Sequence, residues 1–269
     1  MIDVDFDKAV KLDKDMLKLV AKTRQDVIDS EEFIADVAAG VHRSALIYGP
    51  PGMGKTYLAT SGLQRAKKKP SKDYIIARSH TSAGQFYAML WVMRKPGQFI
   101  VLDDCDGIMA SEEGINLLKA ATDATFRNVG WSSRAQIKVP GTDEVVPQQF
   151  DFNGSIIIGT NVRQARGNSK MAQHMDAIRS RCVAWPMRYE TPTERFAYIY
   201  HLVVDKNYLD ADVETKITDT QQAELLRFIW TNLGITNKLD LRHPQKIARV
   251  MLAKPGKWQN QARRFLETE

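Results

Sequence analysis

Residues 46–60, "LIYGPPGMGKTYLAT", decide how this chain folds. Apolar residues lead into three glycines and two prolines, and a Lys-Thr pair then opens a second apolar pattern. Gly49 followed after four residues by Gly54-Lys55-Thr56 has the spacing of a phosphate-binding loop. Glycines let backbone N–H groups turn inward around an anion, and the helix that starts near Lys55 points its positive dipole end at the same place. The segment predicts a nucleoside triphosphate site, against the alternative of a plain strand-to-helix turn.

Two side chains of this loop have defined chemistry. Lys55 reaches the β- and γ-phosphates, and the Thr56 hydroxyl is a ligand for Mg²⁺. We expect ATP and Mg²⁺ as the bound groups. The residues expected to contact the nucleotide form the loop and the first helical turn: Gly49, Pro50, Pro51, Gly52, Met53, Gly54, Lys55, Thr56 and Tyr57.

Composition fits a globular protein with an uneven charge. The 269 residues are 43% hydrophobic and 26% charged, and the net charge is +6. Residues 1–40 hold 6 Lys/Arg against 10 Asp/Glu, whereas residues 237–269 hold 8 against 3. The basic remainder suits a polyanion partner or is simply a solvated face.

Two cysteines in separate apolar runs, an N-terminus without an apolar signal core, and the lack of a run of roughly 20 apolar residues indicate a cytoplasmic protein with two buried thiols.

Strands and helices alternate in the first two thirds of the chain. Helical patterns cover 14–39, 55–68, 82–95 and 111–123, and apolar strand patterns cover 44–48, 73–77, 98–104 and 154–161. This alternation predicts an α/β fold with a parallel sheet covered by helices on both faces. From about residue 190 the patterns are helical only. We therefore expect an α/β nucleotide-binding domain over 1–189 and an all-helical lid domain over 190–269.

Polar residues end two of the predicted strands. "FIVLDD" ends in Asp103 and Asp104, where open parallel sheets bind their ligands. Asp103 is expected to hold Mg²⁺, and Asp104 to orient or deprotonate an attacking water. "SIIIGTN" ends in Asn161, whose amide is placed to bond that water or the γ-phosphate, although Asn also favours ordinary turns.

A pair of arginines, Arg179 and Arg181, follows in "AIRSRCVAW". The planar guanidinium fork binds phosphate bidentately and stays charged. Two surface arginines are the simpler reading of this segment taken alone.

Together these segments resemble the AAA+ ATPase superfamily. "GPPGMGKT" is similar to its Walker A motif, "FIVLDD" to Walker B and "SIIIGTN" to sensor 1. "SRC" resembles the clamp-loader motif whose arginine, here Arg181, reaches the ATP of a neighbouring subunit, and "DLRHPQKI" resembles sensor 2, with Arg242 on a lid helix. The overall organisation of the chain also resembles that of small stand-alone ATPases of bacteriophages. This would place the protein in the host cytoplasm. The resemblance implies a homo-oligomeric ring or open spiral in which Lys55, Asp104, Asn161 and Arg181 are catalytic.

One position departs from the family pattern. The residue after the Walker B aspartate is usually Glu, and here it is Asp104, which is one methylene shorter. Slow hydrolysis or a closer water would follow. Asp106 and Glu112 are the alternative carboxylates.

Residues 124–153 predict a β-hairpin between the Walker B helix and the sensor 1 strand. "RAQIKV" alternates with period 2, "PGTD" is a turn, and "EVVPQQFDF" returns with Pro147 suited to an edge strand. The position resembles the pre-sensor 1 hairpin of some AAA+ branches, which projects into the central channel and often touches DNA. Arg134 and Lys138 share one face and are the DNA candidates, although the segment has no net charge.

Four functions fit these observations. The favoured one is an oligomeric AAA+ ATPase that loads, remodels or translocates on DNA, in replication or recombination and with a replication partner protein. A protein-remodelling machine is less favoured, because "RSHTSAGQFYAML" lacks an aromatic-hydrophobic-Gly triplet. A small-molecule kinase would need neither "SRC" nor the helical domain. An ATP-bound adaptor with weak hydrolysis fits the shorter Asp104.

Overall fold

The computed structural model describes residues 5–78, 81–132, 135–161, 170–211, 214–236 and 238–267. Within them the chain forms two compact units. The first, called the α/β unit below, consists of residues 30–49 and 55–187. The second, called the helical unit, consists of residues 1–29, 50–54 and 188–269.

A five-stranded parallel sheet forms the centre of the α/β unit, in the order β2-β3-β6-β1-β7. Its strands are β1 (Ser44–Tyr48), β2 (Tyr74–Arg78), β3 (Phe99–Asp103), β6 (Ser155–Thr160) and β7 (Val183–Pro186). The three inner strands are apolar and buried along almost their whole length. Continuous apolar runs are what a sheet covered on both faces requires. The predicted α/β class and parallel sheet are confirmed.

Helices that cover this sheet are α3 (Lys55–Arg65), α4 (Ala83–Val92), α5 (Asp106–Ala110), α6 (Glu112–Thr122) and α7 (Lys170–Arg179). Ser82 caps α4 through a capping box with Gln85, and the Ser111 hydroxyl accepts a hydrogen bond from the Gly114 N–H at the start of α6. Such caps satisfy N–H groups that the first helical turn leaves free. These local signals explain why the predicted helix starts agree with the structure.

A second pair of strands, β4 (Asn128–Gly130) and β5 (Gln149–Asp151), forms the predicted excursion between α6 and β6. They pair antiparallel, and farther out Lys138 forms an isolated bridge with Val145. The regular ladder therefore lies at the base of the hairpin, outside the predicted strand 134–139. The Tyr87 hydroxyl on α4 donates to the Pro147 carbonyl at 2.6 Å, which ties the returning segment to a helix.

The helical unit contains α1 (Phe6–Val10), α8 (Pro192–Lys206), α9 (Asp219–Thr231), α10 (Arg242–Ala253) and α11 (Gln259–Glu267). The long helix α2 (Lys14–Ala39) begins in this unit and ends in the α/β unit. Capping boxes start α8 at Thr191 and α9 at Thr218. Residues 1–29 and 50–54 thus cluster with the C-terminal helices, whereas the sequence alone suggests a single boundary near residue 190.

The two cysteines differ in their surroundings. Cys105 is buried, with its thiol 3.2 Å from the Ala77 carbonyl oxygen. Cys182 is only half-buried, yet desolvation raises the pKa of its thiol to about 12. The prediction of two buried thiols therefore holds fully for Cys105 alone.

Of the helices in the described ranges, none is long and apolar enough to cross a membrane.

Candidate functional site

Three buried strands end at one edge of the sheet and bring the predicted polar residues together. Because the strands are parallel, the carboxyl ends of β1, β3 and β6 lie side by side. The phosphate loop follows β1, Asp103 and Asp104 lie at the end of β3, and Asn161 follows β6. Ligands of open α/β sheets bind at this edge.

Three glycines of the phosphate loop lie where a residue with a Cβ would be strained or would collide with its neighbours. Gly52 and Gly54 have φ of +71° and +77°, in the left-handed region. Gly49 is different, because a Cβ there would lie 2.7 Å from the Met187 carbonyl oxygen. The glycine pattern is thus explained by conformation at two positions and by close packing at the third.

Lys55 begins α3 and points back along the loop. Its ammonium group donates to the Gly49 carbonyl at 3.3 Å and to Asn161 Oδ1 at 2.7 Å. The residue is 6% exposed, and burial lowers the pKa of its ammonium group, while the charges of Asp104 and Asp103 raise it. Burial of a charge is costly unless the charge is paired, so this desolvated cation favours an anion beside it.

The next residue, Thr56, supplies an oxygen to the same edge. Its hydroxyl donates a short hydrogen bond to Asp103 Oδ1. The two side chains present hydroxyl and carboxylate oxygens, the ligand type that Mg²⁺ prefers. The pair therefore fits the predicted metal site.

Asp104 adopts an uncommon backbone conformation, with φ of +49°. Its N–H donates to the Gly159 carbonyl at 3.3 Å, and its Oδ1 accepts from Asn161 Nδ2 at 3.0 Å. Asp and Asn tolerate the left-handed region better than Glu does. This backbone gives a physical reason for the shorter acid at this position. Of the alternative carboxylates, Glu112 lies in the first turn of α6, and the side chain of Asp106 lies outside the described residues.

The order of the strands brings the polar residues together. Strand β6 lies between β1, which precedes the phosphate loop, and β3, which ends in Asp103. Asn161 consequently contacts both Lys55 on one side and Asp104 on the other. The α/β fold therefore places the phosphate loop, the acidic pair and the amide at one site.

Comparisons with known proteins found similarity among solved structures only, since no protein-family model and no curated protein matched. The chain is similar to the Holliday junction branch migration motor RuvB of Thermotoga maritima, with 14% identity and a TM-score of 0.48, over 93% of this chain and 70% of that one. A variant of the same motor gives 15% identity and a TM-score of 0.49 over the same shares. C. elegans PCH-2 gives 12% identity and a TM-score of 0.39, over 94% of this chain and 66% of that one.

Arg181 precedes β7, near the amino end of that strand and away from the edge where the phosphate loop lies. Val183 pairs with Ala45 near the start of β1, whereas the phosphate loop follows Tyr48 at its end. The Arg181 guanidinium donates to the Ala177 carbonyl at 2.8 Å, and its Nε is buried without a hydrogen-bond partner among the described residues. Arg179 differs, because its guanidinium carbon lies 4.8 Å from the centre of the Tyr48 ring.

Arg242 begins α10 in the helical unit, and its side chain is exposed. Its N–H donates to Asp240 Oδ1 at 2.9 Å. In the same unit the Leu241 N–H donates to the Gly52 carbonyl at 3.1 Å. The predicted sensor 2 residue is thus next in the chain to a residue that bonds the phosphate loop.

The DNA candidates are placed less favourably. Arg134 lies outside the described residues. Lys138 is exposed near the hairpin tip, where it forms an ion pair of 3.1 Å with Asp143. That neighbour offsets the charge that Lys138 would present to a phosphate.

Sequence analysis missed one residue at the catalytic edge. Arg78 ends β2, and its Nε lies 4.0 Å from Asp103 Oδ2. The available signal was position, because Arg78 directly follows the apolar run "YIIA" and therefore lies at the same edge as Asp103.

Proposed function

We propose that this protein is an ATPase that binds Mg²⁺-ATP at the phosphate loop, hydrolyses it and works as a homo-oligomer on DNA in the cytoplasm. The observation that carries the proposal is the convergence of Lys55, Asp104 and Asn161 through two hydrogen bonds at one sheet edge. Beside them lies the oxygen pair of Thr56 and Asp103. A plain strand-to-helix turn would not require these polar contacts.

Each residue of the site has a role in phosphoryl transfer. Lys55 and the N-terminus of α3 attract the phosphates with a charge and free N–H groups. Thr56 and Asp103 would hold Mg²⁺, which neutralises phosphate charge when bound. Asp104 accepts a proton from the attacking water, and Asn161 orients that water by a hydrogen bond. The Lys55–Asn161 bond keeps the amide fixed between the cation and the carboxylate.

The position of Arg181 supports the proposed self-association. The amino edge of the sheet, where Arg181 lies, and the loop edge are roughly 15 Å apart at about 3.3 Å per strand residue. A guanidinium there is poorly placed for the phosphates held by its own loop. A neighbouring copy of the chain supplies phosphates that it can reach, so Arg181 acts in trans.

DNA is the proposed substrate, and the hairpin is its proposed contact. Charges repeated on one hairpin per subunit would line a channel and bind phosphates without reading sequence. The hairpin packs on α4, since Trp91 Nε1 donates to Glu144 at 2.7 Å and the Tyr87 ring lies 5.3 Å from that of Trp131.

Substitution of Arg134 and Lys138 by Ala is expected to remove DNA stimulation of the ATPase and to leave the basal rate unchanged. Asp143→Asn is a matched variant with the opposite expected effect. It removes the ion pair of Lys138 and should strengthen DNA binding. In wild type, the log of the DNA binding constant should fall by roughly 0.7–0.9 per log unit of salt for each neutralised phosphate. Fluorescence anisotropy with labelled single- and double-stranded DNA at several salt concentrations measures both effects.

A contrasting set tests whether DNA lies elsewhere. Lys254, Lys257, Arg263 and Arg264 form the basic C-terminal part of the helical unit. Loss of DNA binding on their substitution, with no effect from the hairpin pair, would place DNA along that part instead. If neither set changes DNA binding, the partner is a protein, as the remodelling alternative requires.

ATPase rate with and without DNA, measured together with mass in the presence of ATP, tests the whole proposal. We expect ATP hydrolysis, a mass of several chains, and faster hydrolysis with DNA. A monomer with bound ATP and no hydrolysis would instead indicate the ATP-bound adaptor, which the short carboxylate at Asp104 favours.

A further inference from the structure

Within the helical unit, Asp240 and Leu241 contact Gly52 at the tip of the phosphate loop. The Leu241 N–H donates to the Gly52 carbonyl at 3.1 Å. A Cβ at Gly52 would lie 2.2 Å from Asp240 Oδ2 and 2.7 Å from Asp240 Cβ. Asp240 therefore packs directly on the loop backbone, at a residue whose φ of +71° already favours glycine.

Asp240 is itself held in place from several directions. Its Oδ1 accepts from the Arg242 N–H at 2.9 Å and lies 2.9 Å from His243 Nδ1. The residue is 8% exposed. Burial raises the pKa of the Asp240 carboxyl, but the hydrogen bonds from His243 and Arg242 lower it by more. The pKa therefore lies below its usual value. The buried carboxylate is therefore ionised at neutral pH.

The backbone around Asp240 is braced independently of the loop. Arg195 Nη1 donates to the Leu239 carbonyl at 3.4 Å, and the Tyr208 hydroxyl donates to the Leu241 carbonyl at 3.3 Å. Arg195 also donates to the Tyr189 carbonyl at 3.1 Å. Residues 239–242, called the latch below, are thus held by hydrogen bonds from Arg195 and Tyr208.

We infer that Asp240 is a positioning residue for ATP binding. Its carboxylate and the Leu241 N–H hold Gly52 in the left-handed conformation, and the same carboxylate fixes the start of α10 from which Arg242 projects. Occupancy of the loop and the position of Arg242 are therefore linked through one side chain. The inference rests on the proposed ATP site and adds a residue that positions the loop backbone at Gly52.

Asp240→Ala is expected to weaken ATP binding about tenfold, as the loss of one or two hydrogen bonds predicts. Asp240→Asn should bind nearly as wild type, because its amide oxygen still accepts from the Arg242 N–H. Asp219→Ala is the matched control, since Asp219 is an exposed acid in the first turn of α9 in the same unit. Titration with a fluorescent ATP analogue and thermal unfolding of all four proteins separate an effect on binding from an effect on the fold.

A double substitution tests the Gly52 contact itself. Gly52→Ala should weaken binding strongly, and Asp240→Gly added to it should restore part of the affinity by removing the collision. If Asp240→Ala fails to fold, Asp240→Val, which likewise has no acceptor for the Arg242 N–H, replaces it, with the same tenfold weakening expected. A dissociation constant for the Asp240 variant equal to that of Asp219→Ala overturns the inference, as does a double variant no better than Gly52→Ala.

Hydrogen exchange separates this inference from the proposed function. In nucleotide-free protein the Leu241 amide, which bonds Gly52, should exchange faster in Asp240→Ala than in Asp219→Ala. This result is expected even if the wild type binds no ATP, in which case only the proposed function fails. Equal exchange of the Leu241 amide in the two variants would contradict the role of Asp240 in holding the latch against Gly52.

Discussion

Lys55→Ala is expected to abolish ATP binding and to leave the fold intact. The ammonium group is the buried cation of the site, with Gly49 and Asn161 as hydrogen-bond partners. Charge-assisted bonds are worth about 1.5–3 kcal/mol each, so loss of two such bonds to phosphate weakens binding by roughly 10²–10⁴-fold. Titration with a fluorescent ATP analogue measures the loss.

Stability should change little in this variant. Burial lowers the pKa of Lys55, which means that the folded protein bears a desolvation cost for this charge. Its removal therefore offsets part of the lost hydrogen bonding. Lys69→Ala, at an exposed lysine, is the control, and both variants should unfold within a few degrees of wild type. ATP affinity unaffected by Lys55→Ala would remove the phosphate loop from the site.

Arg181→Ala is expected to bind ATP as tightly as wild type and to hydrolyse it far more slowly. An arginine supplied by a neighbour to the transition state is worth about 10³–10⁵ in rate in other phosphate-loop enzymes. Because Arg181 precedes β7 at the edge away from its own loop, its loss should spare ground-state binding. Steady-state phosphate release and ATP titration on the same protein separate the two quantities.

Mixing the two defective proteins gives a sharper test of action in trans. Interfaces that pair the intact loop of Arg181→Ala with the intact arginine of Lys55→Ala should recover part of the activity. Arg188→Ala, at an exposed arginine, is the matched control and should keep the wild-type rate. Lack of recovery at every mixing ratio contradicts action in trans, and a comparable loss in Arg179→Ala would assign the role to the other arginine.

The sheet and the ends of its strands were predictable from sequence because the signals are local. Apolar runs, caps and the glycine spacing each act over a few residues, and they place Lys55 at the start of α3, Asp103 at the end of β3 and Asn161 just after β6. Parallel strands then bring those ends to one edge without further information.

Other features depend on contacts between distant segments, and sequence patterns do not encode these. The packing of Asp240 on Gly52 joins residues nearly 190 positions apart, and nothing in "KLDLRH" indicates it. The left-handed backbone of Asp104 likewise depends on a bond to Gly159 in a neighbouring strand. The hydrogen bond from Tyr87 on α4 to the Pro147 carbonyl of the hairpin is also a contact between distant segments.

Phosphate release from Asp104→Asn protein at saturating Mg²⁺-ATP tests the proposed function most directly. The amide still accepts the Asn161 hydrogen bond and suits the left-handed backbone, but it cannot take a proton from water. We predict unchanged ATP affinity and a rate at least about 100-fold below wild type, the range of general-base catalysis. A rate equal to wild type would contradict the role of Asp104, and a wild-type protein that binds ATP but releases no phosphate would contradict the ATPase itself.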